Sequence, residues 1–548
     1  MTLKELRISK GINQNECAKY LGMSTRNYQN YENNADKANT ARYNAIYRRL
    51  SAYAQSISPA LNVDVQFHTN VITDVGLQAL TDRVAKFAKR DCFQSLQKFV
   101  KGTYDGKICV LYGLRRTGKT TLLFQMIREL PLEQTAYIKV QTTDNMSYLT
   151  KDLHLLFKLG YRYVFIDEIT LLNDFINTAA VLSDVFSMMG MKIVVSGTDS
   201  LGFAMANRDE LYDRSVTIHT SFIPFKEYAR LLDIHSIDCY IEYGGTLKKE
   251  NMCLDDPDAE FDEVAFRDDE STRKYIDTAI SRNIQHTLKN DHYGEYFNQL
   301  RELYDKGELT NVINRIVENM NHRFVLRVVQ DEEIINRLKA IIDIKEKNET
   351  TVKVTQEHIN KVKKYLLMLD LIVNCPERYE SGSQEEHIVF SQPGMRFAIA
   401  KSLIYALKQD AYFNSISEKD KAYIASKILD DVKGRMLEDI VLLEVCKAAP
   451  RNTEAFKFKF DSGGEYDLVI YDTRNHNCRL YEIKHSSQIA AKQTRYLRDA
   501  EKCEIIENRF GKITGKYVLY RGENATVEGV QYLNVAQFLC DLNEAVFD

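Results

Sequence analysis

The segment 107–121, KICVLYGLRRTGKTT, constrains this chain more than any other part of the sequence. A short apolar run, Ile108–Tyr112, precedes a loop that matches G-x-x-x-x-G-K-[ST] at every fixed position. Apolar residues then recur at helical spacing over residues 122–130, so the pattern predicts a strand, a loop and a helix in that order. The backbone N–H groups of such a loop and the N-terminus of its helix form an anion site. The segment therefore predicts binding of nucleotide phosphates.

Each polar position in this loop has an expected role. Lys119 is expected to reach the β- and γ-phosphates, and the Thr120 hydroxyl is expected to hold Mg²⁺. A chance match in a turn that contains glycine and lysine is the alternative, but strand and helix stand where the chemistry requires them. The residues predicted to contact the nucleotide here are Gly113, Arg115, Arg116, Thr117, Gly118, Lys119, Thr120 and Thr121.

Two adjacent acids follow a second apolar run, at residues 163–166. We expect Asp167 to hold the water shell of Mg²⁺ and Glu168 to polarise the attacking water. The alternative is a pair of acids that face solvent at the end of an ordinary strand. The position of the pair, downstream of the phosphate loop, favours the catalytic interpretation.

Further strands are predicted over residues 136–140 and 192–195. Thr198, just beyond the second of these, is a candidate sensor of the γ-phosphate. Arg214 is a candidate for an arginine that contacts the γ-phosphate or couples to it, and a surface salt bridge is an equally good interpretation.

Residues 2–33 read as three short helices, and the first is expected to carry an apolar face of Leu3, Leu6 and Ile8. The second covers Gln14–Leu21, Gly22 makes the turn, and the third runs over residues 24–33. Residues 1–53 hold nine lysines and arginines against four acids, a balance that attracts a phosphate backbone. This segment resembles the helix-turn-helix domains of Cro-like repressors. The resemblance implies a recognition helix that reads bases in the major groove of DNA with Thr25, Arg26, Gln29 and Asn30. A helical bundle for protein contact is the alternative.

A second group of chemically suited residues lies near the C-terminus. A helix expected to open after Gly434 carries Glu438, and a hairpin presents Asp467, Glu482 and Lys484. The three carboxylates can bind one or two Mg²⁺ ions, and the lysine can orient or deprotonate a water that attacks a phosphodiester.

The pattern resembles the PD-(D/E)XK nuclease superfamily, with Glu465-Tyr466-Asp467 in place of the leading Pro-Asp. Gln493 and Tyr496 are candidates for nucleic-acid contacts. A nuclease fold that has lost its activity is the alternative.

The motifs GLRRTGKTTLL, FIDEITLLNDF, VVSGTDS and YDRSVTIHTSFIPFKEY resemble a group of bacterial and archaeal AAA-type ATPases fused to a C-terminal domain of unknown function. IEYGGTL, KYIDTAISRNI, INKVKKYLLMLDLI and HIVFSQPGMRFAIA resemble the partner domain. The chain departs from that group where IEYGGTL lacks the usual apolar residue and proline, and in an acidic insertion at residues 255–270.

The expected fold is multidomain, α and α/β. An all-α helix-turn-helix is predicted over residues 1–53, a connector over 54–85 and a P-loop α/β ATPase over 86–235. A helical and winged-helix region covers 236–412, and we expect its winged-helix unit to act as a rigid joint, with DNA binding as the alternative. An α/β restriction-endonuclease-like domain covers 413–548.

The ten cysteines lack metal-ligand spacing, and neither a signal peptide nor a membrane span is visible, so we expect a cytoplasmic protein. ATP and Mg²⁺ are the expected cofactors, DNA is the expected partner, and a homo-oligomer is a possible assembly. The combined hypothesis is an ATP-hydrolysing, DNA-acting protein whose ATPase gates a DNA-binding head and a nuclease-like domain. One alternative is an ATP-gated DNA-binding regulator with an inactive nuclease-like domain. Another places the partner surface on a protein, with the acidic insertion as the docking loop.

Overall fold

The computed structural model describes residues 2–9, 12–33, 41–51, 66–172, 174–199, 202–203, 210–247, 266, 268–289, 297–349, 352–411, 413–542 and 547. The chain forms two compact units, Met1–Phe67 and His68–Asp548. Most of the acidic insertion at 255–270, and residues 54–65 of the predicted connector, lie outside the described residues.

The first unit is helical, with helices Leu3–Ser9, Gln14–Leu21, Thr25–Asn33 and Ala41–Ser51. Asn13 caps the second helix, and Gly22 ends it in the left-handed conformation with φ of 67°. Leu3 and Leu6 are buried as expected, but Ile8 is 58% exposed, so its predicted place on the apolar face is wrong. The reason is helical geometry: Ile8 lies about 140° round the helix from Leu3.

The helix Ala41–Ser51 was not predicted. It packs against the first three helices through the buried side chains of Ile46 and Leu50. The core of this unit also contains Cys17, Ala18, Leu21 and Tyr28. A fourth helix therefore covers apolar surface that three short helices would leave in water.

The second unit contains two sheets. The first has six strands in the order β1-β3-β4-β5-β2-β6, and β2 to β6 are parallel. Parallel strands bring their carboxyl ends to one edge, where ligands bind in open α/β sheets. The strands are β1 Asn70–Ile72, β2 Ile108–Tyr112, β3 Thr135–Lys139, β4 Tyr163–Asp167, β5 Lys192–Gly197 and β6 Ser215–His219.

Part of the predicted connector 54–85 belongs to this sheet. Strand β1 pairs antiparallel with β3, with Val71 opposite Ile138, and the helix Asp74–Asp82 follows it. A strand needs a partner for its backbone groups, and the edge of β3 supplies one. The α/β region therefore begins before residue 86.

The second sheet has eight strands in the order β13-β14-β12-β11-β10-β9-β7-β8. The hairpin β7–β8, which lies within the region predicted as helical and winged-helix, joins this sheet because β7 pairs in parallel with β9. The strands are β7 Ile372–Tyr379, β8 Gln384–Phe390, β9 Thr453–Lys459, β10 Glu465–Asp472, β11 Asn477–Ile483, β12 Lys512–Tyr520, β13 Ala525–Val527 and β14 Val530–Asn534.

The helix that carries Glu438 is longer than predicted. It runs without interruption over Glu418–Ala448, so the expectation that a helix opens after Gly434 is wrong. A glycine inside a helix costs only about 1 kcal/mol, and buried Val432 and Met436 hold the chain on either side of it.

Two buried cores join the parts of this unit. One contains the helix Phe225–Leu232 together with the helix Glu418–Ala448 and strands β10 and β11. The other contains Leu114 of the nucleotide loop and buried residues of the helices Asp269–Ile276, Arg282–Lys289, Asn298–Asp305, Leu309–Val328, Gln356–Met368 and Pro393–Lys408. The α/β region therefore shares its interior with the segments that follow it.

The helices of the second unit complete the architecture. In chain order they are Asp74–Asp82, Phe93–Lys101, Lys119–Ile127, Met146–Lys158, Phe175–Thr178, Phe225–Leu232, Ile237–Tyr243, Asp269–Ile276, Arg282–Lys289, Asn298–Asp305, Leu309–Val328, Glu332–Glu349, Gln356–Met368, Pro393–Lys408, Glu418–Ala448, Ala500–Phe510 and Val535–Cys540.

Candidate functional site

The nucleotide loop, residues 113–120, connects β2 to the helix Lys119–Ile127. The Lys119 ammonium group donates hydrogen bonds to the carbonyls of Gly113 and Leu114, at 2.9 and 2.8 Å. Burial lowers the pKa of Lys119 to about 8. The two carbonyls thus hold the Lys119 ammonium group inside the loop. Phosphate oxygens can replace these carbonyls as its hydrogen-bond acceptors.

Gly113 is required by the close packing behind the loop. A Cβ atom at this position would lie 2.5 Å from Thr220 Oγ1 and 2.9 Å from the backbone nitrogen of Ser221. Its φ of 151° also lies in a region that side chains disfavour. Thr117 shapes the loop from within, because its hydroxyl donates to the Leu114 carbonyl at 2.8 Å.

A cavity of about 460 Å³ opens above the loop. It contains most of the residues predicted to contact the nucleotide, whereas Gly113, Thr117 and Asp167 lie behind its wall. Lys139 and Leu171 were not predicted. The lining residues are Arg115, Arg116, Gly118, Lys119, Thr120, Thr121, Lys139, Glu168, Leu171 and Thr198.

Asp167 lies at the end of β4 and is fully buried. Its Oδ2 accepts hydrogen bonds from Thr120 Oγ1 at 3.0 Å, Tyr137 OH at 2.9 Å and Lys139 Nζ at 2.8 Å. Ser196 donates to the other carboxylate oxygen. Burial alone would raise the pKa of Asp167, but the Lys139 charge and these hydrogen bonds outweigh it and lower that pKa.

The contact between Thr120 and Asp167 supports the predicted Mg²⁺ chemistry. A hydroxyl and an ionised carboxylate, both oxygen donors, meet at the mouth of a phosphate loop. The residues therefore fit a nucleotide-bound Mg²⁺, with Thr120 as ligand and Asp167 on its water shell. Lys139 could have been anticipated, because it is the register partner of Asp167 at the end of the neighbouring strand.

Glu168 turns away from the strand in the left-handed conformation, with φ of 60°. Its side chain lines the cavity, and Thr198 Oγ1 lies 3.4 Å from its Oε2. The turn separates two adjacent acids, so that Asp167 lies inside the protein and Glu168 faces the cavity. This is the position that a base acting on water at a γ-phosphate needs.

Arg214 lies outside the cavity lining. Its Nε is 2.8 Å from Asp184 Oδ1, and its Nη1 donates to the Glu210 carbonyl at 2.9 Å. Its side chain is 41% exposed. Within this chain the arginine makes the surface salt bridge that its sequence also allowed.

Arg90 supports the loop from behind and was not predicted. It forms a buried two-point ion pair with Glu227, at 3.0 and 2.8 Å. The same guanidinium donates to the carbonyls of Thr117 and Thr220, at 2.8 and 2.7 Å. One arginine thus fixes the loop relative to the end of β6 and the helix Phe225–Leu232.

The loop also contacts the helical region directly. Tyr275 OH donates to the Arg115 carbonyl at 3.1 Å, and Leu247 N donates to the Arg116 carbonyl at 2.9 Å. Asn283 Nδ2 donates to the Thr198 carbonyl at 3.2 Å. The backbone around the nucleotide cavity is therefore bonded to the segments that lead toward the C-terminal sheet.

The carboxylate cluster, Glu438, Glu465, Asp467 and Glu482, lies beside the second sheet. Ligand atoms of Glu438, Glu465 and Asp467 all lie within 4.8 Å of one another. Lys484 Nζ lies 2.8 Å from both Asp467 Oδ2 and Glu482 Oε2. The structure thus brings the four predicted residues together and adds Glu465, which was noted in the sequence only as a departure from the nuclease pattern.

The pKa values of the acids in the cluster are shifted in opposite directions. Burial, with the Asp467 charge, raises the pKa of Glu482 to about 8, and the same two causes raise the pKa of Glu438. Burial would also raise the pKa of Asp467, but Lys484 and Lys457 outweigh it and lower that pKa. Glu482 Oε1 is buried without a hydrogen-bond partner. An orphaned carboxylate oxygen beside an ionised carboxylate fits a divalent cation.

Two further cations enter the cluster and were not predicted. Lys457 Nζ lies 3.1 Å from Glu438 and 2.8 Å from Glu465, and its side chain is 5% exposed. Arg435 Nη1 lies 2.6 Å from Glu438 and 2.7 Å from Glu465. Lys457 is on a strand and Arg435 on a helix, and nothing in their local sequence indicates that they meet.

The four residues predicted to read DNA lie on the helix Thr25–Asn33. Arg26 and Asn30 are exposed, and Thr25 is half-buried. Gln29 Nε2 donates to Gln14 Oε1 at 2.9 Å, a contact that ties this helix to the one before it.

Gln493 makes its contacts inside the protein, whereas the Tyr496 side chain is half-buried. Gln493 is buried and accepts a hydrogen bond from Ala490 N at 2.9 Å, in the short 3₁₀ helix Ala491–Thr494. The Tyr496 carbonyl accepts from Tyr466 OH at 2.9 Å.

Comparison with known families identifies the α/β region. Residues 105–229 match a family profile described as an AAA domain. This part of the chain has an AAA-like α/β P-loop fold. The match falls inside the predicted range 86–235 and includes the nucleotide loop, Asp167 and Glu168, so the prediction of an AAA-type fold is confirmed for these residues.

A longer similarity extends beyond the AAA domain. The uncharacterized protein MJ1544 of Methanocaldococcus jannaschii is 21% identical over 445 residues, which cover 78% of this chain and 86% of that protein.

Three solved structures are similar to parts of this chain at low TM-scores. The Thermotoga maritima RuvB Holliday junction branch migration motor has a TM-score of 0.23 at 16% identity, covering 54% of this chain and 89% of that chain. The Aeropyrum pernix ORC1 protein in complex with DNA has a TM-score of 0.24 at 13% identity, covering 65% and 96%. C. elegans PCH-2 has a TM-score of 0.18 at 14% identity over 29% of this chain, and the chain spans 45% of its length.

In the described part of the chain, no helix has both the length and the apolar character that crossing a bilayer requires.

Proposed function

We propose that this protein is an ATP-hydrolysing, DNA-acting enzyme in which the AAA domain gates a DNA-binding head and a nuclease-like C-terminal domain. The observation that carries the proposal is the attachment of the nucleotide loop to the rest of the second unit. Leu114 is buried in the core of the helical region. The carbonyls of Arg115 and Arg116 accept hydrogen bonds from residues of the same region.

Hydrolysis would use the residues that line the cavity. Lys119 and the loop backbone bind the phosphates, Thr120 and Asp167 hold Mg²⁺, and Glu168 polarises the water. The bound metal supplies charge neutralisation between the phosphates. Because the loop carbonyls are bonded to Tyr275 and Leu247, a shift of the loop on nucleotide binding is transmitted to the helical region.

Nucleic-acid cleavage would use the carboxylate cluster. Asp467 and Glu482 are the expected metal ligands with Glu438, and the buried unpartnered oxygen of Glu482 supports this assignment. Lys484 would orient the attacking water. The helices Gln14–Leu21 and Thr25–Asn33, joined at Gly22, support DNA docking by the head.

One observation favours the alternative, an ATP-gated regulator with an inactive nuclease-like domain. Lys457 and Arg435 both pair with Glu438 and Glu465. These cations balance the negative charge that a metal would otherwise balance, and such a cluster can be stable as a purely structural network.

A single experiment separates the two functions. Labelled single- and double-stranded DNA and RNA are incubated with Mg²⁺ or Mn²⁺, with and without ATP, using wild type, Asp467→Asn and Lys119→Ala. The proposed enzyme degrades a substrate, Asp467→Asn loses cleavage but hydrolyses ATP normally, and Lys119→Ala loses ATP hydrolysis by at least about a hundredfold.

The controls are Glu504→Gln and Arg128→Ala, two exposed positions outside both sites. Cleavage by none of the proteins on any substrate, with ATP hydrolysis intact, would establish the regulator instead. Normal ATP turnover by Lys119→Ala would refute the assignment of the nucleotide loop.

A further inference from the structure

A second cavity lies apart from the nucleotide cavity. It is a cleft of about 540 Å³ between the helix Leu309–Val328 and the hairpin β7–β8. Arg435, Lys457 and Glu465 are among its lining residues. Because Glu465 belongs to the carboxylate cluster, the cleft and that cluster share a residue.

Most cations of the cleft already have acidic partners. Lys459 pairs with Glu377, and Arg396 pairs with Asp439, each at 2.5 Å. Arg435 and Lys457 pair with the acids of the cluster, as described above. These four side chains are part of the wall and are not available for a ligand without breaking an ion pair.

Arg323 and Arg327 differ from these four. Both are exposed, both line the cleft, and among the described residues neither has a hydrogen-bond or ion-pair partner. They are four residues apart on one helix, so they lie on the same face with Cβ atoms about 5–6 Å apart. A pair of guanidinium groups without partners, in a cleft that shares Glu465 with a cluster of oxygen ligands, is suited to phosphate groups.

The size of the cleft restricts the ligand. Its volume lies in the range of about 300–1,000 Å³ typical of pockets that enclose small molecules, which matches a nucleotide and excludes a duplex. Tyr379, half-exposed on the hairpin wall, offers an aromatic surface to a base. Unpaired guanidinium groups beside an aromatic side chain are features of sites for single-stranded nucleic acid.

We infer that this cleft binds a single strand of nucleic acid, with Arg323 and Arg327 on neighbouring phosphates, and directs the strand to the carboxylate cluster. The inference rests on the proposed function, since it supplies the path of the substrate to the proposed cleavage site. It assigns the substrate class as single-stranded, whereas the head would bind duplex DNA.

The test measures binding by the full-length protein in EDTA, so that no strand is cut. Fluorescein-labelled oligothymidylate, oligouridylate and a DNA duplex are titrated by anisotropy at several salt concentrations. Arg323→Ala/Arg327→Ala should weaken single-strand binding at least about tenfold and reduce the magnitude of the salt slope by about 1.4, since each phosphate contact on a single strand contributes about 0.7. Duplex binding should be unchanged.

The matched control is Lys339→Ala/Lys347→Ala, which removes the same charge from exposed positions on the helix Glu332–Glu349, outside the cleft. This control should bind the single strands and the duplex as wild type does. Arg323→Lys/Arg327→Lys keeps the charges and should recover most of the affinity, and unchanged ATP hydrolysis in each variant shows that the protein is folded. A loss confined to oligothymidylate or to oligouridylate would identify the ligand as DNA or RNA.

Two results would overturn the inference: equal single-strand affinity in the alanine pair and wild type, or an equal loss of duplex binding. Cleavage is measured separately with Mg²⁺. If wild type cuts nothing but the alanine pair still loses single-strand binding, the nuclease proposal fails and the strand site stands. If wild type cuts and the alanine pair binds and cuts equally well, the strand site fails and the nuclease proposal stands.

Discussion

The nucleotide loop and the carboxylate cluster both bury acids beside lysines, yet they balance charge in different ways. At the nucleotide site, the fully buried acid is Asp167, and three neutral donors share it with Lys139. In the cluster, four acids meet the three cations Arg435, Lys457 and Lys484. At the nucleotide site, each residue therefore has a separate task. In the carboxylate cluster, the charges are balanced by a network of ion pairs.

The largest expected effect tests whether Glu168 acts alone. Among the described residues its one hydrogen bond is the long contact from Thr198, so no network can replace it. Glu168→Gln should bind ATP normally and reduce the maximal hydrolysis rate by about 10²–10⁴-fold, the usual contribution of a general base. Steady-state hydrolysis and nucleotide binding measure the two quantities.

The matched control is Glu133→Gln, which makes the same change at an exposed position. Ordinary hydrolysis by Glu168→Gln would break the distinction between the two sites, because it would mean that the task of Glu168 is shared.

The next effect compares the lysines of the two sites. Lys457→Met leaves Glu438 and Glu465 with Arg435 as their remaining described cation, in a site where the lysine is 5% exposed. Breaking a buried ion pair costs about 3–5 kcal/mol of stability. Because Arg435 still pairs with both acids, we expect the free energy of unfolding to fall by about 3 kcal/mol. Lys139→Met should cost about 1 kcal/mol or less, because Lys139 is 39% exposed and Asp167 keeps three neutral donors.

Urea denaturation of both variants measures the difference. Equal losses would show that the two sites balance charge alike and would contradict the comparison.

The smallest effect concerns Glu444, a buried acid that forms no ion pair among the described residues. It accepts a hydrogen bond from Phe225 N at 2.7 Å, and burial raises its pKa from 4.5 to about 8. Between these two values the unfolded chain has lost the proton that the folded protein keeps. The free energy of unfolding therefore falls as pH rises through this window, and it is highest below the lower value.

Glu444→Gln keeps an acceptor for Phe225 N and cannot ionise. Between about pH 5 and about pH 8.5, the unfolding midpoint should fall less in this variant than in wild type. The same pH dependence in both proteins would show that burial does not raise the pKa of Glu444. Glu504→Gln is the control at an exposed position.

Much of the first site could be predicted because its elements are contiguous in the chain. β2, the loop and the helix Lys119–Ile127 follow one another directly, and Asp167 with Glu168 ends a strand recognisable by its apolar run. The same holds for the helix Gln14–Leu21, whose bounds were predicted, and for the hairpin β10–β11 that carries Asp467 and Glu482.

Other features were decided by tertiary packing. Arg90 reaches Glu227, and Lys457 reaches Glu438, across distances in sequence that no local pattern spans. Whether a glycine interrupts a helix also depends on packing, and buried neighbours keep the helix continuous at Gly434.

The sequence by itself determined the strand, loop and helix of the P-loop and which strand end carries the two acids, because backbone geometry over a few consecutive residues creates an anion site. Only the tertiary structure decided how the charges pair and that the loop shares a core with the helical region. Only there does a cleft with Arg323 and Arg327 share Glu465 with the carboxylate cluster. The physical reason is that an ion pair or a cleft depends on the register and docking of distant elements, which burial of apolar surface selects.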